Sequence, residues 1–362
     1  MKTKFKINYF NIPDFLIILI TSLILLLIYN YTNLIFKKDS KDGFLNAKAI
    51  NNKFNCRLRS ENKNCIKNVI KDLDSKKSVL FLGNSQTGAI NNFTEQDKDF
   101  VSLLNENSII KKNNITIRSF WMPNASLKEF SMINDSLDMC SVRPEIIIFP
   151  AFLDDTRENS IRKFIQDINN QFCENKKETF SDKKNTVGNL AKLNKIIKKR
   201  YKILNQLQSL NTRFRTDLYK FRNFIFMIKP NSIRPIKNSS FFSNLNSYEK
   251  ILVSRGEKNL KTIVYIPPLL YANSRNKIPY NEKEYKIFKN RIKEICDKYN
   301  CIFYNLESTI QDDLWGNKSS TNLLNNANEI DFMHFTGKGH IKLSEEFSLI
   351  IKKHIINKSH KP

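Results

Sequence analysis

The length and composition of the chain favour a folded globular body. Its 362 residues are 41% hydrophobic and 26% charged, which is enough apolar material for one large domain or two and excludes a chain disordered throughout. The formal net charge of +25 indicates either a polyanionic or anionic-lipid surface as a partner, or a coding bias toward Lys, Asn and Ile.

An uncharged stretch near the N-terminus predicts a membrane anchor. The run from Phe15 to Phe36 contains no charged residue and is long enough to span a bilayer. Lysines flank it on both sides with a slight excess before it, which favours a cytoplasmic N-terminus at 1–12, an anchor at 13–36 and an extracytoplasmic remainder. A cleaved signal peptide is the alternative, but the residues after the run are polar, aromatic or bulky where a cleavage site needs small ones.

The cysteines are consistent with an exported body, because disulfides persist outside the cytosol. All six can be paired locally, and an alternative is that all are free thiols. A metal site is not expected, since no C-x-x-C pair occurs and no histidine lies near the cysteines in sequence. The expected pairs are Cys56 with Cys65, Cys140 with Cys173, and Cys296 with Cys301.

A short apolar strand that ends in a serine is the first candidate for chemistry. Ser78 to Leu82 has strand propensity, and Gly83-Asn84-Ser85-Gln86 then breaks it with turn formers. A serine held at the end of a core strand is a candidate nucleophile, provided that a base takes its proton. The alternative is that Ser85 only caps the helix after the strand.

Strands and helices alternate through the rest of the chain. Strands are predicted at 114–120, 145–149, 261–266 and 301–304, and helices after the Ser126/Glu129 capping box, at about 282–299, and from Thr336 to about 354. This alternation predicts a parallel sheet covered on both faces, with the ligand site outside the carboxyl ends of the strands. Ser85 and Asp154 follow such ends, so the topology places them together.

Residues 171–259 separate two of the predicted strands and indicate a mostly helical basic insertion. Apolar residues recur every three or four places over 190–207 among many lysines, and a second apolar cluster occupies 221–228. The insertion is either a helical cap packed on the sheet, or a lid or surface that lies on anionic lipid headgroups.

Two short blocks resemble those of the GDSL/SGNH hydrolases and acyltransferases. Gly83-Asn84-Ser85-Gln86 near the start of the soluble part looks like the first block of that family, and Asp331-x-x-His334 looks like the last. The resemblance implies that Ser85 is the nucleophile, that His334 is its general base and that Asp331 orients His334.

The same resemblance implies a fold for the soluble part. We expect a three-layer α/β/α body with a five-stranded parallel sheet, flavodoxin-like in order, which is the SGNH hydrolase fold. It would occupy 76–362, preceded by a juxtamembrane segment at 37–75 and one transmembrane helix.

The middle blocks of the family are altered in this chain. Asn124 stands where a glycine normally offers its N–H to the oxyanion hole, and Asp154 stands where an asparagine side chain is normal. Asn tolerates left-handed backbone angles, so the resemblance implies that the N–H groups of Ser85 and Asn124 hold the oxyanion. An ionised Asp154 would repel it, so either Asp154 is protonated, or Arg157 or another donor substitutes, or the acceptor chemistry differs. Substrate contacts are expected from Asn84, Gln86, Asp155 and Arg157.

The anchor and the insertion make the chain look like the branch of the family that transfers acyl groups in the cell envelope, as in teichoic acid D-alanylation and polysaccharide O-acetylation. We therefore expect an esterase or acyltransferase that acts on acetyl or other small acyl groups of an envelope glycan or acylated carrier, in the periplasm or at the cell surface. A membrane-bound acyltransferase is an expected partner; no metal, cofactor or nucleic acid is expected. The alternative is a non-enzymatic anchored protein that binds acidic polysaccharide or organises an assembly complex.

Overall fold

The computed structural model describes most of one compact unit, Phe44–Pro362. The described residues are 47–75, 77–157, 160–168, 172–173, 220–226, 238–270, 281–318 and 328–356, with Thr21, Leu218 and Ile236. In these segments, no helix combines the length and the apolar character that crossing a membrane requires. Apart from Thr21, the predicted anchor at 13–36 lies outside the described residues.

The strands, in chain order, are β1 (Ala47–Ala49), β2 (Asn55–Arg57), β3 (Ser78–Gly83), β4 (Ala89–Asn91), β5 (Thr116–Trp121), β6 (Ile146–Pro150), β7 (Lys261–Ile266), β8 (Ile302–Asn305), β9 (Trp315–Lys318) and β10 (Glu329–Phe335). The helices are α1 (Lys63–Leu73), α2 (Ser85–Gly88), α3 (Phe100–Glu106), α4 (Ser108–Lys112), α5 (Leu127–Met139), α6 (Lys163–Gln166), α7 (Asn238–Gly256), α8 (Glu282–Lys298) and α9 (Gly337–Ile351). Short 3-10 turns lie at Ser60–Asn62, Asp154–Thr156 and Asp312–Leu314, and a π-helical turn at Lys352–Ile356.

A parallel sheet forms the centre of the unit, with the strand order β2-β5-β3-β6-β7-β8. The predicted α/β class with a parallel sheet is therefore confirmed. The sheet has six strands in the described residues, whereas five were predicted. The additional strand, β2, has the sequence Asn-Cys-Arg, which carries no apolar run that would mark it.

Helices cover both faces of this sheet. Side chains alternate between the faces of a strand, so Leu80 and Leu82 of β3 join one apolar cluster and Val79 and Phe81 join another. The first cluster includes side chains of α1, α5, α7 and α8, and the second includes side chains of α3 and α9. This arrangement is the three-layer architecture expected from the alternation of strands and helices.

The segment before β3 belongs to the folded body. It was expected to be a juxtamembrane segment, but β1 pairs with β4, β2 forms an edge of the central sheet, and α1 buries Ile66, Val69, Ile70 and Leu73. Those four side chains repeat at the spacing of one helix face, which is the pattern of a core-facing helix.

The C-terminal part of the expected insertion is also part of the core. Helix α7 ends at Gly256 and connects toward β7, and it buries Tyr248 and Ile251 against the sheet. Its Arg255 is 1% exposed and donates hydrogen bonds to the carbonyl oxygens of Pro144 and Lys261. Most of the basic stretch before it, including 174–217, lies outside the described residues.

The remaining helix predictions agree well with the structure. The capping box of Ser126 and Glu129 is formed at the start of α5, and α8 spans Glu282–Lys298. Helix α9 begins after Thr336, but the hydroxyl of Thr336 donates to the carbonyl oxygen of Leu314 and does not cap the helix.

The six cysteines form three local disulfides, in the pairing that the sequence predicted. The first joins β2 to α1, the second joins the end of α5 to residue 173, and the third joins α8 to the start of β8. The pairs are Cys56–Cys65, Cys140–Cys173 and Cys296–Cys301.

Phe81 provides a test of the packing beneath the sheet. Its ring centroid lies 4.9 Å from that of Phe347 and 5.2 Å from that of Phe100. Replacing Phe81 by Ala would leave a cavity, so we expect the free energy of unfolding to fall by about 3–5 kcal/mol in urea denaturation. The matched control is Phe226→Ala, where the side chain is 69% exposed, and its expected change is within about 0.5 kcal/mol. Equal losses in the two variants would contradict this packing.

Candidate active site

Ser85 begins the short helix α2 directly after β3. Its position is set by Asn84, the N-cap residue, whose Oδ1 accepts a hydrogen bond from the backbone N–H of Gln86 at 3.0 Å. The strand before it ends at Gly83, where an added Cβ would lie 2.1 Å from Thr87 Oγ1. The tight turn therefore holds Ser85, which is 8% exposed, at the carboxyl edge of the sheet.

Asp331 and His334 form a buried hydrogen-bonded pair on β10. The Nδ1–H of His334 donates to Asp331 Oδ2 at 2.8 Å, and the residues are 4% and 1% exposed, respectively. In a regular strand, residues three apart point to opposite faces. Here the pairing of β10 with β9 shifts register between Asp331 and Phe335, and this irregularity lets the two side chains meet.

Asp331 is held from two further directions. Asn91 at the end of β4 donates from Nδ2 to Asp331 Oδ2 at 2.9 Å, and the backbone N–H of Met333 donates to Oδ1 at 2.9 Å. Burial tends to raise the pKa of Asp331, but the hydrogen bond and charge of His334, with these two donors, lower that pKa below its ordinary value. A carboxylate in this position keeps the proton of His334 on Nδ1 and leaves Nε2 as an acceptor.

Helix α2 and strand β10 are in contact, which brings the nucleophile candidate toward the Asp331–His334 pair. Phe332 and Met333, between Asp331 and His334 in sequence, line the same cleft as Ser85. Ser85 and His334, both within the described residues, are not joined by a direct hydrogen bond. Such bonds are often loose in unliganded enzymes, and the triad of Ser85, His334 and Asp331 stays a prediction.

The cleft has a volume of about 160 Å³. It lies where the loops after β3, β5 and β6 meet the loop of β10, because parallel strands bring their carboxyl ends to one edge. Its lining includes most of the residues selected from sequence, with three apolar side chains that the sequence did not indicate, Phe152, Phe332 and Met333. The lining residues are Asn84, Ser85, Asn124, Phe152, Asp154, Asp155, Arg157, Phe332 and Met333.

The turn that carries Asn124 is fixed by Arg162. Asn124 adopts a left-handed backbone with φ of 50°, a region that Asn tolerates better than most residues. Arg162 donates from Nη2 to the carbonyl oxygens of Pro123 and Asn124, at 2.5 and 2.9 Å. Its backbone N–H donates to Glu129 Oε1 at 3.1 Å, which ties the turn to the first turn of α5.

Adjacent acids in the 3-10 turn after β6 have different surroundings. Asp154 forms an ion pair with Arg157, with 2.5 Å between Oδ1 and Nη1. Asp155 is 3% exposed and accepts a hydrogen bond from Asn84 Nδ2 at 3.3 Å. Burial raises the pKa of Asp155 well above its usual value; Asn84 partly opposes this, whereas the nearby Asp154 and Glu129 add to it.

The structure places one of the expected substrate contacts elsewhere. Gln86 does not line the cleft; its Nε2 donates to the carbonyl oxygen of Pro268 at 3.0 Å and ties α2 to the loop after β7. Asp154, expected in the oxyanion hole, lines the cleft but is engaged with Arg157. In the described part of the chain, no group of His, Cys, Asp and Glu is arranged to hold a metal ion.

Sequence reasoning missed Asn91 and Arg162. Asn91 is separated from Asp331 by 240 positions and belongs to no motif. Arg162 follows the cleft residues in sequence without a pattern that would link it to the Asn124 turn. Both act through backbone or side-chain partners that only the folded chain brings together.

No protein-family model matches this sequence, and no curated protein matches it. Solved structures that match this chain include LAE5, an alpha/beta hydrolase enzyme from the metagenome of Lake Arreo, at 10% identity and a TM-score of 0.38, covering 76% of this chain and 95% of that one. Axe2, an acetylxylan esterase from Geobacillus stearothermophilus, is similar at 9% identity and a TM-score of 0.38, covering 77% and 96%. Likeness at this level does not indicate an activity for this chain.

Gly316 provides a test of the support for Asp331. It lies opposite Asp331 on β9, and an added Cβ would lie 1.9 Å from the Cγ of Asn91. We expect Gly316→Ala to displace Asn91 and to lower the free energy of unfolding at neutral pH by about 1–3 kcal/mol, the cost of a lost hydrogen bond to a charged group. The pKa of Asp331 is lowered in the folded state, so its stabilising contribution is present above the unfolded pKa of about 3.9 and is lost as pH falls through the folded value.

The deficit of Gly316→Ala should therefore shrink in acid, as measured by urea denaturation over a pH series. Gly256→Ala is the matched control, because a Cβ there meets nothing within 4 Å and its stability should be unchanged or slightly higher. A deficit that grew as pH fell would contradict the role of Asn91.

Proposed function

We propose that this chain is a serine esterase or acyltransferase of SGNH type. The observation that carries the proposal is the buried hydrogen bond of 2.8 Å between Asp331 and His334, beside a cleft that is lined by Ser85 and by Phe332 and Met333, the two residues between the pair in sequence. A carboxylate, an imidazole and a serine from opposite ends of the chain are the groups that nucleophilic acyl transfer requires.

In the proposed reaction, Ser85 Oγ attacks the carbonyl carbon of an ester as His334 Nε2 takes the hydroxyl proton. The N–H groups of Ser85 and Asn124 hold the negative oxygen that forms. Asp331 stabilises the imidazolium through Nδ1. Collapse of the tetrahedral intermediate expels the alcohol, which takes the proton from His334. An acyl group remains bound to Ser85.

The second half of the reaction transfers the acyl group from Ser85 to an acceptor. Water or a sugar hydroxyl gives its proton to His334 and attacks the acyl group, and Ser85 recovers its proton as it leaves. Water yields a carboxylic acid and makes the chain an esterase, whereas a sugar hydroxyl yields a new ester and makes it an acyltransferase.

The substrate that we propose is an envelope glycan or acylated carrier that bears acetyl or another small acyl group. A cleft of about 160 Å³ with Phe152, Phe332 and Met333 in its lining suits a short apolar acyl chain. Local disulfides support a location outside the cytosol, and the uncharged run at 15–36 supports anchoring to the bilayer. A membrane-bound acyltransferase is the proposed donor partner in the transferase version.

Labelling with a serine-directed fluorophosphonate tests the proposal. We expect the wild-type protein to be labelled and Ser85→Ala to be spared, because only an activated serine reacts. His334→Ala should slow labelling by about a thousandfold or more. The matched control is Ser60→Ala, at an exposed serine, which should label like the wild type.

Labelling of Ser85→Ala at the wild-type rate would contradict the assignment of the nucleophile. An unlabelled wild type that binds acidic polysaccharide, with binding unchanged by Ser85→Ala, would favour the non-enzymatic envelope protein that the charge of +25 also suits. Mass spectrometry of envelope glycans, with and without the protein, separates deacylation from acylation.

A further inference from the structure

The cleft contains few side chains that can donate a hydrogen bond to an oxyanion. Asn84 is oriented by its own contacts, since Oδ1 accepts from the N–H of Gln86 and Nδ2 donates to Asp155. Arg157 is engaged with Asp154 at 2.5 Å. Asp155 lines the cleft together with Ser85, in the turn that follows β6.

Asp155 is buried, and in the described part of the chain it forms no ion pair, although the charge of Arg162 partly favours its ionised form. Its exposed fraction is 3%, and among the described residues no Lys, Arg or His lies within 4.0 Å of its carboxyl oxygens. A buried carboxyl without a cation is disfavoured as an anion. The charged and titratable groups around it are Asp154 and Arg157 on its own turn, Glu129 on α5, Arg162 after that turn and Tyr265 on β7. The Asp331–His334 pair lies on β10, whose Phe332 and Met333 line the same cleft.

The hydrogen bonds of Asn84 determine which oxygen of Asp155 carries a proton. Because Oδ1 of Asn84 accepts from a backbone N–H, its amide nitrogen must be the group that faces Asp155. Oδ2 of Asp155 is therefore an acceptor. In a neutral carboxyl group the proton then resides on Oδ1, which makes that oxygen a donor.

We propose that Asp155, as a neutral carboxylic acid, donates a hydrogen bond from Oδ1 to the oxyanion that forms when Ser85 attacks the ester. In this role Asp155 replaces the asparagine side chain that the family resemblance implies for the oxyanion hole. It lies one residue after Asp154, the position that the sequence indicated. This inference rests on the proposed function. No bond to Asp155 is made or broken; its proton stays on Oδ1 through both halves of the reaction.

Loss of that proton removes a donor and adds a negative charge beside the oxyanion. The turnover number kcat should therefore fall as pH rises through the pKa of Asp155, by about tenfold per pH unit if the ionised form is inactive. Burial raises this pKa, so the folded chain keeps a proton that the unfolded chain loses near pH 4. The free energy of unfolding should accordingly decline as pH rises from there to the folded pKa, and then level off.

Asp155→Asn separates this role from a structural one. The Asn side chain can accept from Asn84 through Oδ1 and donate toward the cleft from Nδ2, and it cannot lose a proton in this range. We expect it to keep kcat for p-nitrophenyl acetate within about tenfold of the wild type at neutral pH and to lose the alkaline decline, with acetate release followed between about pH 5 and 10. Asp155→Ala should lower kcat by about a hundredfold or more across the series.

Asp154→Asn is the matched control at the adjacent acid. In Asp154→Asn, the decline of kcat at alkaline pH should persist, whether or not the maximum value of kcat changes. A second measurement needs no turnover: at neutral pH, the infrared difference spectrum between the wild type and Asp155→Asn should contain the carbonyl stretching band of a neutral carboxylic acid, and the difference spectrum between the wild type and Asp154→Asn should not. A difference spectrum removes any contribution from Asp99, another carboxyl whose pKa is raised by burial.

The outcomes separate the two proposals. Turnover that does not depend on Ser85 overturns the proposed function and this inference with it. Turnover that depends on Ser85, with the same pH profile in the wild type and in Asp155→Asn, overturns only the inference. So does a rate for Asp155→Asn as low as that of Asp155→Ala, or an infrared difference spectrum between the wild type and Asp155→Asn that lacks a carboxylic acid band.

Discussion

The parallel alignment of β5, β3 and β6 is the constraint on which the site depends. Backbone hydrogen bonds in the sheet hold the three strands in one direction, so the loops that follow them emerge at the same edge. Asn84 and Ser85 follow β3, Asn124 follows β5, and Asp155 follows β6. The three loops are far apart in sequence, and the sheet makes them neighbours around one cleft.

The last part of the site comes from outside that sheet. In the described residues, strand β10 pairs with β9 in a two-stranded antiparallel ribbon, and its irregular register turns Asp331 and His334 to one side. Asn91 joins this ribbon to the body by hydrogen bonds to Asp331 and to Asn317. The orientation of His334 therefore depends on contacts between distant parts of the chain, and not on the short motif by itself.

Features that depend on local sequence could be predicted, whereas features that depend on contacts between distant parts of the chain could not. Continuous apolar runs mark buried parallel strands, and a capping box marks a helix start, so β3, β6, β7 and α5 could be predicted from local patterns. Strand β2 has no such run, and Asn91 has no local signal for a partner so far along the chain. The contrast between Asp154 and Asp155 could not be predicted either. Successive residues of a tight turn point in different directions, and only the packing around the turn decides which carboxyl is buried.

The pairing of β1 with β4 has a practical consequence for anyone who prepares an N-terminally truncated form of this protein. Ala47 is the register partner of Asn91, and Ile50 donates its N–H to the carbonyl oxygen of Gly88 at the end of α2. Strand β1 and Ile50 thus contact both helix α2, which begins with Ser85, and Asn91, which donates a hydrogen bond to Asp331. A truncation immediately before β3 would remove these contacts. Recombinant forms should therefore retain the chain from residue 44 onward.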